Sequence, residues 1–297
     1  MSAVDSLATV DSFTALDSLS AVLRAAAYLL QLQAAGTAMF LMLFGNGVHA
    51  SLIVLRRDGR RVAAAAAAII VCQFALEAGR MSGDWTGVFD PALQSLSLHS
   101  TSALAGGMRL AGLGLLAVGF LRQSRPALWL GVVLLVSAFP VTGHTSVSPQ
   151  RLALIGLLAL HVAIVSFWIG ALSALLRVTQ LEAVAIAARC IERFSAIAVA
   201  AVPLILLAGI GLTALLLQEP AQLLQPYGAL LLAKGTLFGV LMGMAALNRW
   251  RFAPGIASGA ATAMRSFRRT VVAEWLLIAT VLLLTAILTT FYSPEAA

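Results

Sequence analysis

Eight stretches of this chain are apolar over about the 20 residues that a helix needs to cross a bilayer, with approximate limits 24–54, 62–80, 97–121, 126–143, 151–176, 195–217, 227–248 and 271–291. Composition decides between a membrane and a large soluble core. Only 10% of the 297 residues are charged and 61% are hydrophobic, whereas soluble domains run at about 25% charged. The expected fold class is all-α, a polytopic membrane helix bundle with eight transmembrane helices. The first stretch exceeds one hydrocarbon thickness and is expected to tilt or protrude. Pro91, Pro126, Pro149, Pro220, Pro226 and Pro254 fall in connections, while Pro203 lies inside the sixth stretch, where a kink or local irregularity is expected.

Charge placement sets the orientation. Arg56, Arg57, Arg60, Arg61, Arg122, Arg125, Arg177, Arg189, Arg193, Arg249, Arg251, Arg265, Arg268 and Arg269 all fall in or beside alternate connections, fourteen of the 19 basic residues. Short cytoplasmic loops hold such an excess, so the remaining loops and both termini are expected to face outward. Topology thus accounts for the net charge of +7, and no nucleic-acid partner is implied.

Residues 1–20 read as a polar, acidic N-terminal tail unlike a secretory signal, with Asp5, Asp11 and Asp17 spaced six apart, and 21–293 as one eight-helix transmembrane domain. Cys72 and Cys190 offer neither a CxxC pair nor a disulfide framework.

Two of the four histidines bracket one short outer loop. His144 ends the fourth stretch, and His161 lies ten residues past Arg151 in the fifth, about 15 Å down a helix and near the bilayer middle. An ionisable group at that depth is a candidate functional site. One reading has the outer imidazole capture a soft or borderline cation and the deeper one accept it, since imidazole suits copper and zinc. The other has a loop histidine and a buried one bonded to a neighbouring helix. His99, at the outer start of the third stretch, and His49, toward the inner end of the first, are added from position.

Thioethers are the other intramembrane copper ligand, and Met39 and Met42 share a helical face. Trp168 follows His161 by two helical turns and could close a pathway or stack on the ring, and Gly170 would admit a close helix below it. Glu77 and Arg80 are spaced to pair. Arg109 and Lys234 have no local acid, and Lys234 is placed to set the field of a cation path; Glu274 can answer Arg268, Arg269 or Arg193. Gly235, Gly239 and Gly243 form a bare stripe expected to mark a close helix contact. No Walker loop, nucleophile elbow, His-Glu-x-x-His or paired carboxylates occur, so no enzyme is expected.

Gly143-His144, Leu160-His161 and Phe167-Trp168-Ile169-Gly170 resemble the copper resistance protein D (CopD) family of bacterial inner-membrane proteins. Arg193-Phe194-Ser195, Tyr227-Gly228, Leu230 to Lys234, Asn248-Arg249 and Arg268 to Glu274 extend the resemblance in order over about 140–291. It implies an eight-helix, multi-pass protein of the bacterial inner membrane with periplasmic termini, moving copper (Cu+ or Cu2+) beside a periplasmic copper-binding partner of the CopC type. The family's membrane histidines carry over to His144 and His161 alone. The expected function is copper transport without ATP hydrolysis, inward in direction, with Met39 or Met42 receiving the ion below His161. A haem-binding membrane cytochrome and a copper-delivery subunit that binds without translocating are the alternatives.

Overall fold

The computed structural model describes residues 15–142, 150–216 and 225–292. Helix α1 spans Ala15–Phe44, α2 Leu52–Ala75, α3 Glu77–Ser82, α4 Pro91–Leu98, α5 Thr101–Arg122, α6 Arg125–Ser137, α7 Arg151–Leu181, α8 Val184–Leu216, α9 Pro226–Leu247, α10 Ala253–Ala257 and α11 Ala261–Phe291. A five-residue π-turn, Asn248–Phe252, joins α9 to α10. The fold is an all-α polytopic bundle. Among the described residues, seven helical stretches are long and apolar enough to cross a membrane. The fourth expected span is the 13-residue α6. At 1.5 Å per residue it covers about 20 Å, short of a hydrocarbon core of about 30 Å.

Several limits move for one reason. Hydropathy measures apolarity, while arginine is a good helix former that continues a helix past the apolar run. Thus α8 begins at Val184 and α11 at Ala261, carrying Arg189, Arg193, Arg265, Arg268 and Arg269 in helix. Arg56 to Arg61 likewise belong to the first turns of α2 rather than to a loop. Helix α1 starts at Ala15, inside the stretch read as a tail, and stops at Phe44, so His49 sits in the connection that follows. Helix α8 continues through Pro203, whose missing N–H leaves the carbonyl one turn earlier without its helical donor.

The centre of the bundle is α1, which packs on α2, α5, α6, α7 and α11. One apolar cluster joins Leu32, Phe40 and Phe44 of α1 to Phe167, Trp168 and Leu172 of α7, Phe194 of α8 and Ile278 of α11. A second joins Ala34, Ala38 and Met42 of α1 to Ala63 and Ala66 of α2, Leu113 and Phe120 of α5 and Leu128 of α6. Small residues permit the closest approaches. A Cβ at Gly36 would lie 1.7 Å from the Ser166 carbonyl oxygen, and one at Gly170 would lie 2.1 Å from the Gly36 carbonyl carbon. The close helix expected at Gly170 is therefore α1. The stripe Gly235, Gly239, Gly243 is different. A Cβ at any of the three meets nothing within 4 Å, because α9 attaches to α11 by another face. The expected close contact at that stripe does not form among the described residues.

Polar ties gather the helix ends on two faces. At the arginine-rich end Arg177 Nε–H donates to Asp58 at 3.0 Å, Arg125 to the Met42 carbonyl at 2.9 Å, and Arg193 lies over the Phe44 ring. Arg268 bonds the hydroxyl and carbonyl of Thr179. At the opposite end Arg80 Nε–H donates to Asp17 at 3.2 Å and Arg24 to the Thr289 carbonyl at 2.9 Å. Arg80 is thus paired across helices with Asp17 rather than with Glu77.

Glu182, in the two-residue turn between α7 and α8, clasps the start of α2. One carboxylate oxygen accepts from the His49 N–H at 2.8 Å, the Ser51 N–H at 2.8 Å and the Ser51 hydroxyl at 2.7 Å. Burial pushes this carboxyl up, but the donors from Ser51, His49 and Ala50 outweigh it and hold the group below its ordinary range. A carboxyl lowered by folding adds stability above its unfolded value, and that contribution is lost as pH falls through the folded value. Glu182→Gln is expected to lower stability at neutral pH and to flatten the acid-side decline, read by thermal melts in detergent at stepped pH. An acid-side decline identical to wild type would contradict this role.

Candidate functional site

Apolar helices have few places to put polar groups, so the buried ones mark the interior of any pathway. Two such layers lie along α7. The first centres on His161. Its imidazole packs against α8, where a Cβ on Gly209 would stand 3.8 Å from Cε1 and 3.9 Å from Nδ1, and the Ile205 carbonyl lies beside the ring. Nδ1 is buried and meets no hydrogen-bond partner. Lys234 of α9 stands within electrostatic reach of the ring and makes no ion pair among the described residues. The structure therefore groups His161 with Lys234, a buried imidazole with a positive neighbour.

The second layer lies two turns along α7 toward the arginine-rich end. Glu274 of α11 is 1% exposed and Asn248 is 8% exposed. The Asn248 Nδ2–H donates to Glu274 Oε1 at 2.5 Å, and the Thr270 hydroxyl donates to Asn248 Oδ1. The Trp168 indole N–H is directed at the same carboxyl without meeting strict hydrogen-bond geometry. Of the arginines expected to answer Glu274, Arg268 bonds Thr179 and Arg193 lies over Phe44, while Arg269 is exposed. Sequence reasoning misses the roles of Asn248 and Thr270. The available signal is an asparagine closing an apolar run at a π-turn, a distortion often found at functional sites.

The other expected residues are dispersed. His144 lies outside the described residues. His99 is exposed at the end of α4, its Nδ1 bonded to the Ser95 carbonyl at 2.7 Å. His49 is exposed at the arginine-rich end, contributing its backbone N–H to Glu182. Met42 packs into the cluster shared with α2, α5 and α6, away from Trp168, while Met39 borders both clusters. Glu77 stands within electrostatic reach of Arg109, whose guanidinium lies 5.3 Å from the Phe139 ring centroid. No group of three or more His, Cys, Asp or Glu able to hold a metal occurs among the described residues. A cavity of about 300 Å³ between α1, α2, α7 and α11 is lined by Gln33, Thr37, Asp58, Ser173, Arg177 and Gln180 among others. It presents oxygen and amide groups and no imidazole or sulfur.

The segment that supplies Lys234, Asn248, Thr270 and Glu274 is also the one with a recognisable family likeness. Residues 188–288, about a third of the chain, match the family model of CopD, copper resistance protein D. The CopD resemblance holds there. The CopD match takes in α9, the π-turn and most of α8 and α11, so it contains the whole Asn248–Thr270–Glu274 network, Lys234 and the Gly209 face against His161. His161 and Trp168 themselves precede it on α7. No curated protein and no solved structure matches the chain. Seven apolar helices among the described residues make the chain a multi-pass membrane protein, and the likeness of residues 188–288 to CopD is its link to copper.

Lys234 supplies a test of the first layer. A positive charge beside a bound cation opposes it, so Lys234→Gln is expected to tighten copper binding on the order of tenfold. Competition with a copper-selective chelator measures this. Unchanged or weaker binding would remove Lys234 from the field of the site.

Proposed function

We propose that this protein carries copper through a bacterial inner membrane, inward and without ATP hydrolysis, by a path in which His161 is the midspan ligand. The carrying observation is a buried imidazole whose Nδ1 meets no partner in hydrogen-bond geometry among the described residues, with the Ile205 carbonyl beside the ring, held against helices that match a copper resistance family. Imidazole binds either copper oxidation state, and the neighbouring Lys234 favours the ion of lower charge. In this reading both termini face the periplasm, α6 is the short member of eight spans, and the arginine-rich end is cytoplasmic. His144 captures copper at the periplasmic mouth, delivered by a CopC-type protein, with His99 on the same outer face. Met39, bordering the cluster that contains Trp168, is better placed than Met42 to receive the ion below His161.

Metal analysis of the purified protein with an optical spectrum tests the proposal. Copper bound to wild type and lost from the His161→Ala, His144→Ala pair, with no Soret band, is the expected result. A Soret band, or copper retained by the double variant, would overturn it.

A further inference from the structure

Glu274 has no part in the copper path described above. Its carboxyl is 1% exposed and sits inside α11, in the span Ala261–Phe291. Both neighbouring side-chain groups offer it hydrogen: the Asn248 amide N–H at 2.5 Å and the Trp168 indole N–H directed at it. A carboxyl oxygen accepts such bonds whether the group is ionised or protonated, so the cradle serves both forms. The Thr270 hydroxyl lies against Asn248 Oδ1 and against the Phe267 and Ser266 carbonyls of its own helix.

A buried anion in a membrane needs a cation, since leaving one uncompensated is strongly unfavourable. Of the charged groups on the elements around it, Arg268 of α11 bonds Thr179, Arg193 of α8 lies over Phe44 and Arg177 of α7 pairs with Asp58, while Arg249, Arg251, Arg265 and Arg269 are exposed. Among the described residues no charged side chain bonds Glu274; its hydrogen-bonding neighbours are Trp168 and Asn248. No second carboxylate, imidazole or thiolate joins it to make a metal site among the described residues. The cation that fits one carboxylate with neutral neighbours is a proton.

We propose that Glu274 binds and releases a proton in the membrane interior, exchanging it against the passage of the transported cation. The step is carboxylate plus proton to carboxylic acid and back, with no bond to carbon made or broken. In the acid form Oε1 still accepts from the Asn248 N–H, and the proton is carried on the other carboxyl oxygen. Thr270 lies one turn from Glu274 toward the arginine-rich end, and Asn248 opens the π-turn there, so the two groups lead the proton to that face.

The exchange rests on the transport reading, but the proton site can be tested without copper. Infrared difference spectra of the purified protein between neutral and acidic buffer are expected to show a protonated-carboxyl band that shifts in heavy water. Glu274→Gln, nearly isosteric, is expected to lose that band and keep the folded elution profile, with Glu274→Asp restoring it. A band that persists in Glu274→Gln, or no such band in wild type, overturns the proton site whatever the protein transports. In copper-loaded vesicles, an imposed pH gradient should drive wild-type flux, and Glu274→Gln should lose the gradient-driven part while binding copper normally. Equal gradient dependence in both overturns the exchange. If wild type moves no copper while the band behaves as expected, the transport reading fails and the proton site stands.

Discussion

His161→Ala is expected to reduce copper accumulation in cells to the level of cells lacking the protein. In the proposed path the ring is the midspan ligand, and among the described residues its Nδ1 meets no partner in hydrogen-bond geometry. Loss of an outer-shell partner alone costs about 10–100-fold in metal affinity, and removal of a ligand is expected to cost at least that. The fold is expected to survive. An unpartnered buried nitrogen is itself unfavourable by about 1–3 kcal/mol, which offsets part of the cavity left by the ring. Helix α8 presents Gly209 and the Ile205 carbonyl to this position. Membrane content of the variant, measured by immunoblot beside accumulation, separates a lost ligand from a lost protein. Wild-type accumulation in His161→Ala would remove the midspan ligand.

Gly170→Leu is expected to have the largest effect on the fold. A Cβ at Gly170 would stand 2.1 Å from the carbonyl carbon and 2.3 Å from the following amide nitrogen of the α1 backbone at Gly36 and Thr37. Backbone cannot rotate away as a side chain can, so α1 and α7 must separate. Overpacking a core typically costs about 1–3 kcal/mol and occasionally more, and this site is expected at or above that upper figure because α1 holds both clusters together. Gly239→Leu is the control. It meets nothing within 4 Å and is expected to leave stability unchanged. Fluorescence-detected size exclusion after graded heating reads both. A Gly170→Leu protein as stable as Gly239→Leu would contradict the α1–α7 contact.

Those two glycines also show what hydropathy can and cannot tell. Spans were legible because apolarity sustained over a bilayer thickness has few other uses, and α9 and the start of α7 fall within a residue of expectation. Which glycines face a neighbour was not legible, because spacing gives a helix face but not the direction in which it points. Gly170 and the Gly235–Gly239–Gly243 stripe looked alike in sequence and differ completely in contact. Charge partners failed for the same reason. Glu77 and Arg80 have the right spacing to pair, yet Asp17, far off in sequence, reaches Arg80 first. His161 could be found from depth alone. The Asn248–Thr270–Glu274 network could not, since it joins residues from two helices at a π-turn that periodicity does not announce.

Copper flux into sealed vesicles containing only the purified protein tests the central claim most directly. With copper outside and a high-affinity copper chelator trapped inside, wild type is expected to load the vesicles well above protein-free controls, and His161→Ala is expected to match those controls. Copper bound by wild type without any accumulation inside would contradict transport and leave a protein that holds the ion but does not carry it.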